Sequence, residues 1–193
     1  MLQDGQAALA QRIARADLCR FLAACYYEPG REFVEEKLFD SLVAVAELVD
    51  AELADSARRL GETFQAETLE NLLVDYTRLF LAAPQALAQP YESAWTGESS
   101  EWAQVLTLYR EAGFDLDGGF RDRPDHIAVE LELLYRLLHD DAAPELRIRL
   151  LRKHLARWAT PFAQAVEAGA RTAFYRQLGQ LTRRVVAFES DRV

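Results

Sequence analysis

Apolar residues recur at every third or fourth position along almost the whole chain, and this spacing constrains the fold more than any other feature. In the last segment, for example, Phe174, Leu178, Leu181, Val185 and Phe188 follow the 3.6-residue period of an α-helix. No convincing stretch alternates apolar and polar residues as a half-buried strand does. The pattern predicts an all-α fold, a multi-helix bundle of about eight helices.

Proline and glycine residues divide this pattern into separate helices. Because 193 residues suit one domain and the composition does not divide the chain into two cores, we expect a single domain over residues 1–193. Thr160-Pro161 has the order of a cap followed by the first helical residue, so it predicts a helix start. The predicted helices are one ending near Pro29-Gly30, then 34–49, 52–64, 67–81, 100–112, 125–139, 144–158, a short one from Thr160-Pro161 to Gly169, and 170–188.

Two irregular segments, residues 82–99 and 113–124, flank the predicted helix at 100–112. The first is longer than the ~12–15 residues at which structureless connections become uncommon, and such long loops are often functional. It contains two aromatic residues, Tyr91 and Trp95, which we expect to be exposed because a core tryptophan usually lies on a regular element.

The charge distribution limits the class of partner. The chain carries 22 basic and 31 acidic residues, a net charge of −9; residues 1–143 have a net charge of −15 and residues 144–193 one of +6. A nucleic-acid-binding surface needs cations to neutralise phosphates, so the acidic bulk argues against nucleic acid and for a cationic partner.

The sequence also indicates a cytoplasmic protein without integral membrane association. The longest uncharged run, Leu79 to Tyr91, is shorter than the ~20 residues of a membrane span and contains two prolines. No apolar stretch follows the N-terminus as in a secretory signal. Cys19 and Cys25 are interpreted as core thiols in a reducing compartment.

Motifs for catalysis or metal binding are absent from the sequence. It has no phosphate-binding loop, no Gly-x-Ser-x-Gly turn, no His-Glu-x-x-His and no Glu-x-x-His pair. His126 and Glu130 share a helix face but lack the further ligands that a metal needs. We therefore expect no catalytic residues, no metal and no cofactor.

Three separated segments each combine a carboxylate with apolar side chains: DYTRLF at 75–80, PYESAW at 90–95 and PDHIAVEL at 124–131. A groove built from them would suit a peptide in which arginines adjoin a hydrophobic stretch, because arginine pairs with planar carboxylates. Asp125 is also expected to cap its helix. The candidate peptide- and client-binding residues are Asp75, Tyr76, Phe80, Tyr91, Glu92, Trp95, Pro124, Asp125, His126 and Glu130.

The same segments resemble the TorD/DmsD/NarJ family of redox-enzyme maturation chaperones. PDHIAVEL is similar to the family's Pro-x-Asp-His-x-x-x-Glu-Leu signature and is the most specific match; LYREAGFDL at 108–116 and HLARWATPF at 154–162 are similar to further family segments. One difference is Arg121-Asp122-Arg123-Pro124, where the family often has Glu-Pro.

The resemblance implies a function that composition could not indicate. It implies a system-specific chaperone that binds the twin-arginine signal peptide and the apo form of a molybdopterin oxidoreductase catalytic subunit, assists cofactor insertion and delays export. It leaves open which oxidoreductase is the client, and whether the chaperone is a monomer or a domain-swapped dimer.

Two other classes of protein share the predicted fold. A helical transcription regulator of the TetR type needs a basic DNA-binding module near its N-terminus, whereas residues 1–50 contain 5 basic and 9 acidic residues. A helical cofactor-dependent enzyme is the second alternative, which an absorbance spectrum would test.

Overall fold

The computed structural model describes residues 2–30, 38–82, 86–97, 101–114, 123–141 and 143–193. Helices make up 79% of these residues, and no strand occurs among them, which confirms the predicted all-α class. Within the same residues no helix is both long and apolar enough to cross a bilayer.

The helices occupy most of the predicted segments. A π-helical turn at Thr77–Leu81 extends the helix Leu69–Tyr76, and a second one at Leu151–Leu155 joins the helix Pro144–Leu150 to the helix Ala156–Gly169. The first residues of the helix predicted at 34–49 and parts of both irregular segments lie outside the described residues. The helices are α1 Leu2–Cys25, α2 Leu38–Glu47, α3 Ala51–Gln65, α4 Leu69–Tyr76, α5 Ser93–Thr96, α6 Glu101–Glu111, α7 Ile127–Asp140, α8 Pro144–Leu150, α9 Ala156–Gly169 and α10 Ala173–Ser190.

Side-chain caps set the starts of several helices. The Asp50 carboxylate accepts hydrogen bonds from the first backbone N–H groups of α3, and the hydroxyls of Thr68 and Thr172 do the same for α4 and α10. These bonds satisfy donors that have no partner inside the helix, which is why short polar residues lie at these positions.

The predicted helix break at Thr160-Pro161 is wrong, because α9 continues through Pro161 to Gly169. Proline inside a helix costs about 3 kcal/mol, since it removes one backbone hydrogen bond and crowds the preceding turn. Trp158, Phe162 and Val166 of the same helix are fully buried, and packing of this apolar face offsets the cost.

The apolar faces of the helices meet in one continuous core, in which α1 packs on α7 and α10 packs on both α9 and α3. Gly179 permits the close approach of α10 to α9, since a Cβ atom there would lie 2.7 Å from the Ala163 carbonyl oxygen. Cys19 and Cys25 are buried free thiols, as predicted, and burial raises the pKa of each.

Candidate functional site

Two of the predicted segments are joined by their backbones. The Ile127 N–H donates to the Pro90 carbonyl at 2.8 Å, and the Glu92 N–H donates to the Asp125 carbonyl at 2.9 Å. Tyr91 and His126 thereby form an isolated antiparallel bridge. We call residues 90–95 and 123–130, held together in this way, the junction.

Asp125 lies in the junction but does not cap its own helix, so that prediction is wrong. The N-cap of α7 is His126, whose Nδ1 accepts a hydrogen bond from the Ala128 N–H at 3.1 Å. The pairing with residues 90–92 keeps the backbone at His126 extended, so the helix begins one residue later than expected. Asp125 instead accepts a hydrogen bond from the Ser93 N–H at the start of α5, at 3.2 Å.

Arg123 covers the Asp125 carboxylate. Its Nη2 lies 2.7 Å from Asp125 Oδ2 and 2.6 Å from the Ser93 hydroxyl oxygen, and its guanidinium carbon lies 5.0 Å from the centre of the Tyr91 ring. The Asp125 side chain is fully buried, whereas that of Arg123 is 49% exposed. The arginine is therefore the solvent-facing member of this cluster.

His126 is held between two aromatic rings. The Tyr27 ring is stacked on the imidazole with centroids 6.1 Å apart, and the Tyr91 ring meets it edge-on at 5.3 Å. Because Nδ1 accepts a backbone N–H, the neutral imidazole carries its proton on Nε2. The ring therefore has a fixed position and a defined tautomer.

Glu92 and Glu130 are the two buried glutamates of the junction. Glu92 Oε2 lies 2.8 Å from His154 Nδ1, and the Trp158 indole N–H donates to Glu130 Oε2 at 3.3 Å. Both glutamates are 0% exposed, so their carboxylates face protein and not the open groove that the sequence suggested. Candidate selection from the sequence missed His154 and Trp158, although both lie in HLARWATPF.

The DYTRLF residues lie apart from these contacts. Asp75 Oδ2 accepts from the Arg171 N–H, the Thr172 N–H and the Thr172 hydroxyl at 2.8–2.9 Å, and Arg78 donates to Oδ1 at 2.6 Å. These bonds hold the turn between α9 and α10. Tyr76 and Phe80 are buried core rings, 5.2 Å apart between centroids.

The expectation that Trp95 is exposed on a loop is wrong. Trp95 lies on the short helix α5 and is half-buried; its indole N–H donates to the Gln89 carbonyl at 2.8 Å, and its ring meets Phe162 edge-on. Tyr91 is likewise half-buried, and Pro124 is buried. The loop residues of the junction are therefore anchored to the core, and Arg123 is an exposed charge bonded to Asp125.

The described part of the chain contains one cavity close to the junction and another between α1 and α2. One of about 190 Å³ adjoins His154 and is lined also by Arg149 and Lys153. Another of about 410 Å³ lies between α1 and α2, lined by residues such as Phe21 and Leu42 and by none of the predicted site residues. Among the described residues no cluster of His, Cys, Asp or Glu side chains could hold a metal ion.

Comparison with known proteins gives consistent matches. Residues 46–164 match the family model described as nitrate reductase delta subunit. The chaperone protein TorD of Escherichia coli O81 (strain ED1a) is 32% identical over 128 residues, which cover 63% of each chain. The TorD of Escherichia coli O139:H28 is 34% identical over 127 residues, covering 62% of this chain and 61% of that protein. The match thus spans less than two thirds of these relatives' length.

A solved structure shares the fold. A protein from Archaeoglobus fulgidus assigned as a redox enzyme maturation protein superposes with a TM-score of 0.59 at 21% sequence identity, covering 88% of this chain and 91% of that one. At this identity the likeness establishes the helical architecture only.

Proposed function

The chain belongs to the nitrate reductase delta subunit family, which includes the TorD and NarJ chaperones, and from this membership we propose that it is a system-specific maturation chaperone. Its proposed partner is the apo catalytic subunit of a molybdopterin oxidoreductase, bound in the cytoplasm through the twin-arginine signal peptide. Since the relatives carry the name chaperone, we propose a binding function without catalysis.

The observation that carries the peptide proposal is the guanidinium already bound at Asp125. The carboxylate is buried, and its charged partner is a half-exposed arginine side chain that also lies over a tyrosine ring. Carboxylates and aromatic faces are the groups that recognise arginine. The junction is therefore chemically suited to the arginines of a signal peptide.

The charge of the whole protein supports the same partner. A net charge of −9 attracts a cationic peptide over distances of about a Debye length, ~8–10 Å at physiological ionic strength. The half-buried rings of Tyr91 and Trp95 supply apolar surface next to Asp125 for the hydrophobic stretch that follows the arginines.

Fluorescence anisotropy with a labelled Arg-Arg signal peptide tests this proposal. We expect saturable binding that weakens with added salt. Replacing both peptide arginines by lysine is expected to weaken binding less than replacing both by alanine, because lysine keeps the charge and loses only the forked geometry. Binding that is independent of salt and of the arginines would contradict the proposal and indicate that only the hydrophobic stretch is recognised.

The client is tested separately by co-purification. The tagged chaperone is expressed with a candidate molybdopterin oxidoreductase subunit, and retention of its cofactor-free form is the expected result. A subunit without its signal peptide is the matched control. Failure to retain any candidate, together with a mobility shift of random DNA, would favour the TetR-type alternative.

The oligomeric state is tested on the same sample. Light scattering distinguishes a monomer from a domain-swapped dimer.

A further inference from the structure

We propose that Arg123 is an intramolecular ligand of a guanidinium subsite, built from Asp125, Ser93 and Tyr91, and that a peptide arginine must displace it. The inference rests on the proposed peptide-binding function. It adds that Arg123 of the same chain competes with the peptide arginine for the subsite. Displacement lowers the apparent affinity for the peptide and makes Arg123 a determinant of that affinity.

The subsite offers the three groups that a guanidinium selects. Asp125 Oδ2 accepts a charge-assisted hydrogen bond from Arg123 Nη2 at 2.7 Å, the Ser93 hydroxyl oxygen accepts a second at 2.6 Å, and the Tyr91 ring lies under the cation at 5.0 Å. The three contacts come from two segments that the backbone pairing of the junction holds together. The subsite therefore does not depend on Arg123 for its assembly.

The contact that Arg123 makes is incomplete in a way that favours exchange. One nitrogen, Nη2, serves both acceptors, and Asp125 Oδ1, although buried, accepts no hydrogen bond from the described residues. A guanidinium that approaches with its fork aligned can bond both carboxylate oxygens, and this bidentate arrangement is the stronger one. An arginine on a peptide is not tethered two residues from Asp125, so it is able to reach that alignment.

Exposure makes the exchange sterically simple. The Arg123 side chain is 49% exposed, while the Asp125 side chain beneath it is 0% exposed. Movement of this half-exposed side chain removes the charged partner from Asp125 Oδ2 without unfolding any helix. Since half-exposed side chains rearrange on the picosecond-to-nanosecond scale, the competition is an equilibrium on the timescale of peptide binding.

Removal of the competitor is the first test. We expect Arg123→Gln to bind the labelled Arg-Arg peptide roughly threefold to tenfold more tightly than the parent, because apparent affinity is reduced by the fraction of molecules whose site is occupied. The control is Arg59→Gln, at an exposed residue of α3, a helix that packs on α2 and α10; this change removes the same positive charge outside the junction. Equal gains in both variants, or weaker binding by Arg123→Gln, would overturn the proposal.

A small guanidinium compound tests the subsite without the signal peptide. Ethylguanidinium at millimolar concentration is expected to raise the melting temperature of Arg123→Ala but not that of the parent, in which the subsite is filled. Tetramethylammonium, which cannot donate hydrogen bonds, is the control and is expected to have no effect on either protein. Equal effects of the two cations on Arg123→Ala would overturn the subsite.

The two tests separate failure of this inference from failure of the proposed function. If no variant binds the peptide while ethylguanidinium still stabilises Arg123→Ala, the subsite stands and the signal-peptide function is wrong. If all variants bind the peptide equally and ethylguanidinium has no effect, the proposed peptide-binding function is retained. The proposal that Arg123 competes with the peptide is then wrong. Circular dichroism on each variant shows whether the helices are retained.

Discussion

Asp75 and Asp125 are both buried aspartates in predicted binding motifs, but their surroundings differ. At Asp75 the donors are two backbone N–H groups, the Thr172 hydroxyl and Arg78, and both carboxylate oxygens are bonded. At Asp125 the charged donor is the half-exposed Arg123, and Oδ1 accepts no hydrogen bond from the described residues.

On the proposed function, this difference separates a carboxylate that holds a turn, Asp75, from one that binds a peptide, Asp125. Backbone donors at Asp75 cannot be displaced without opening the turn between α9 and α10. Binding of a ligand to Asp75 would therefore lower the stability of the fold. The side-chain donor at Asp125 can rotate away into solvent. A buried carboxylate is thus a candidate for ligand binding when the groups that neutralise it are able to leave.

The largest expected effect is the loss of stability in Asp75→Ala. Removing a buried, paired carboxylate leaves the Arg171 and Thr172 donors and the Arg78 charge without their acceptor, which costs about 3–5 kcal/mol of unfolding free energy. Urea denaturation followed by circular dichroism measures it. Asp55→Ala, at an exposed aspartate paired with Arg58, is the control and is expected to change stability by about 0.5 kcal/mol or less. A similarly small loss in Asp75→Ala would remove the distinction between the two sites.

A smaller loss is expected from Trp95→Ala at the junction. The ring is half-buried against Phe162 and its indole N–H is bonded to the Gln89 carbonyl, so we expect a loss of about 2 kcal/mol, below the ~3–5 kcal/mol of a fully buried aromatic ring. Trp102, which is 44% exposed on α6, supplies the matched control. If Trp102→Ala cost as much as Trp95→Ala in thermal or urea unfolding, the anchoring of α5 would be refuted.

His126 gives a test of the corrected helix start. Replacing it by alanine removes both the acceptor for the Ala128 N–H and the ring packed between Tyr27 and Tyr91, whereas His126→Asn loses the ring packing but keeps an acceptor. We therefore expect the asparagine variant to be about 1 kcal/mol more stable than the alanine variant, because asparagine is a favourable N-cap. The two variants are compared by urea denaturation. Equal stabilities of the alanine and asparagine variants would show that the cap contributes nothing.

The smallest effect concerns Glu132, beside the junction on α7. Burial raises its pKa, an effect that the hydrogen bond from the Tyr27 hydroxyl only partly opposes. The folded protein thus binds this proton more tightly than the unfolded chain, and its contribution to stability falls as pH rises from the unfolded pKa through the folded one.

Glu132→Gln keeps the acceptor oxygen for Tyr27 and is therefore expected to gain stability relative to the parent as pH rises above 4.5, the ordinary pKa of a glutamate. Urea midpoints across this range measure it, with Glu62→Gln at an exposed position as the control. A constant difference between variant and parent would mean that Glu132 does not titrate with a raised pKa.

The fold was largely predictable because helical periodicity records which side chains face the core. This spacing is a local feature of the sequence, and predictions based on local signals were wrong where a distant segment determines where a helix begins or ends. Asp125 has the chemistry of an N-cap, yet pairing with residues 90–92 moves the helix start to His126. At Thr160-Pro161 the burial of Trp158 and Phe162 outweighs the local signal for a break.

Of the three candidate segments, the structure brings two together at the junction, and which residues bind a partner stays a prediction. The sequence indicated that carboxylates and aromatic rings come together, and at the junction they do. It could not indicate that the buried Glu92 and Glu130 are hydrogen-bonded to His154 and Trp158, because those contacts join residues far apart in the chain. The sequence showed that Arg123 lies where the family often has Glu-Pro, but its contact with Asp125 is seen only in the three-dimensional structure.

The most direct test compares the affinities of Asp125→Asn and Asp75→Asn for the Arg-Arg peptide, at a temperature where circular dichroism shows both variants folded. Asparagine keeps an acceptor for the Ser93 N–H at the junction but removes the charge that binds guanidinium. We expect Asp125→Asn to bind roughly tenfold more weakly than the parent, the equivalent of about 1.4 kcal/mol, and folded Asp75→Asn to bind as the parent does. Parent-like binding by Asp125→Asn, or an equal loss in both variants, would contradict the assignment of the peptide arginines to the junction.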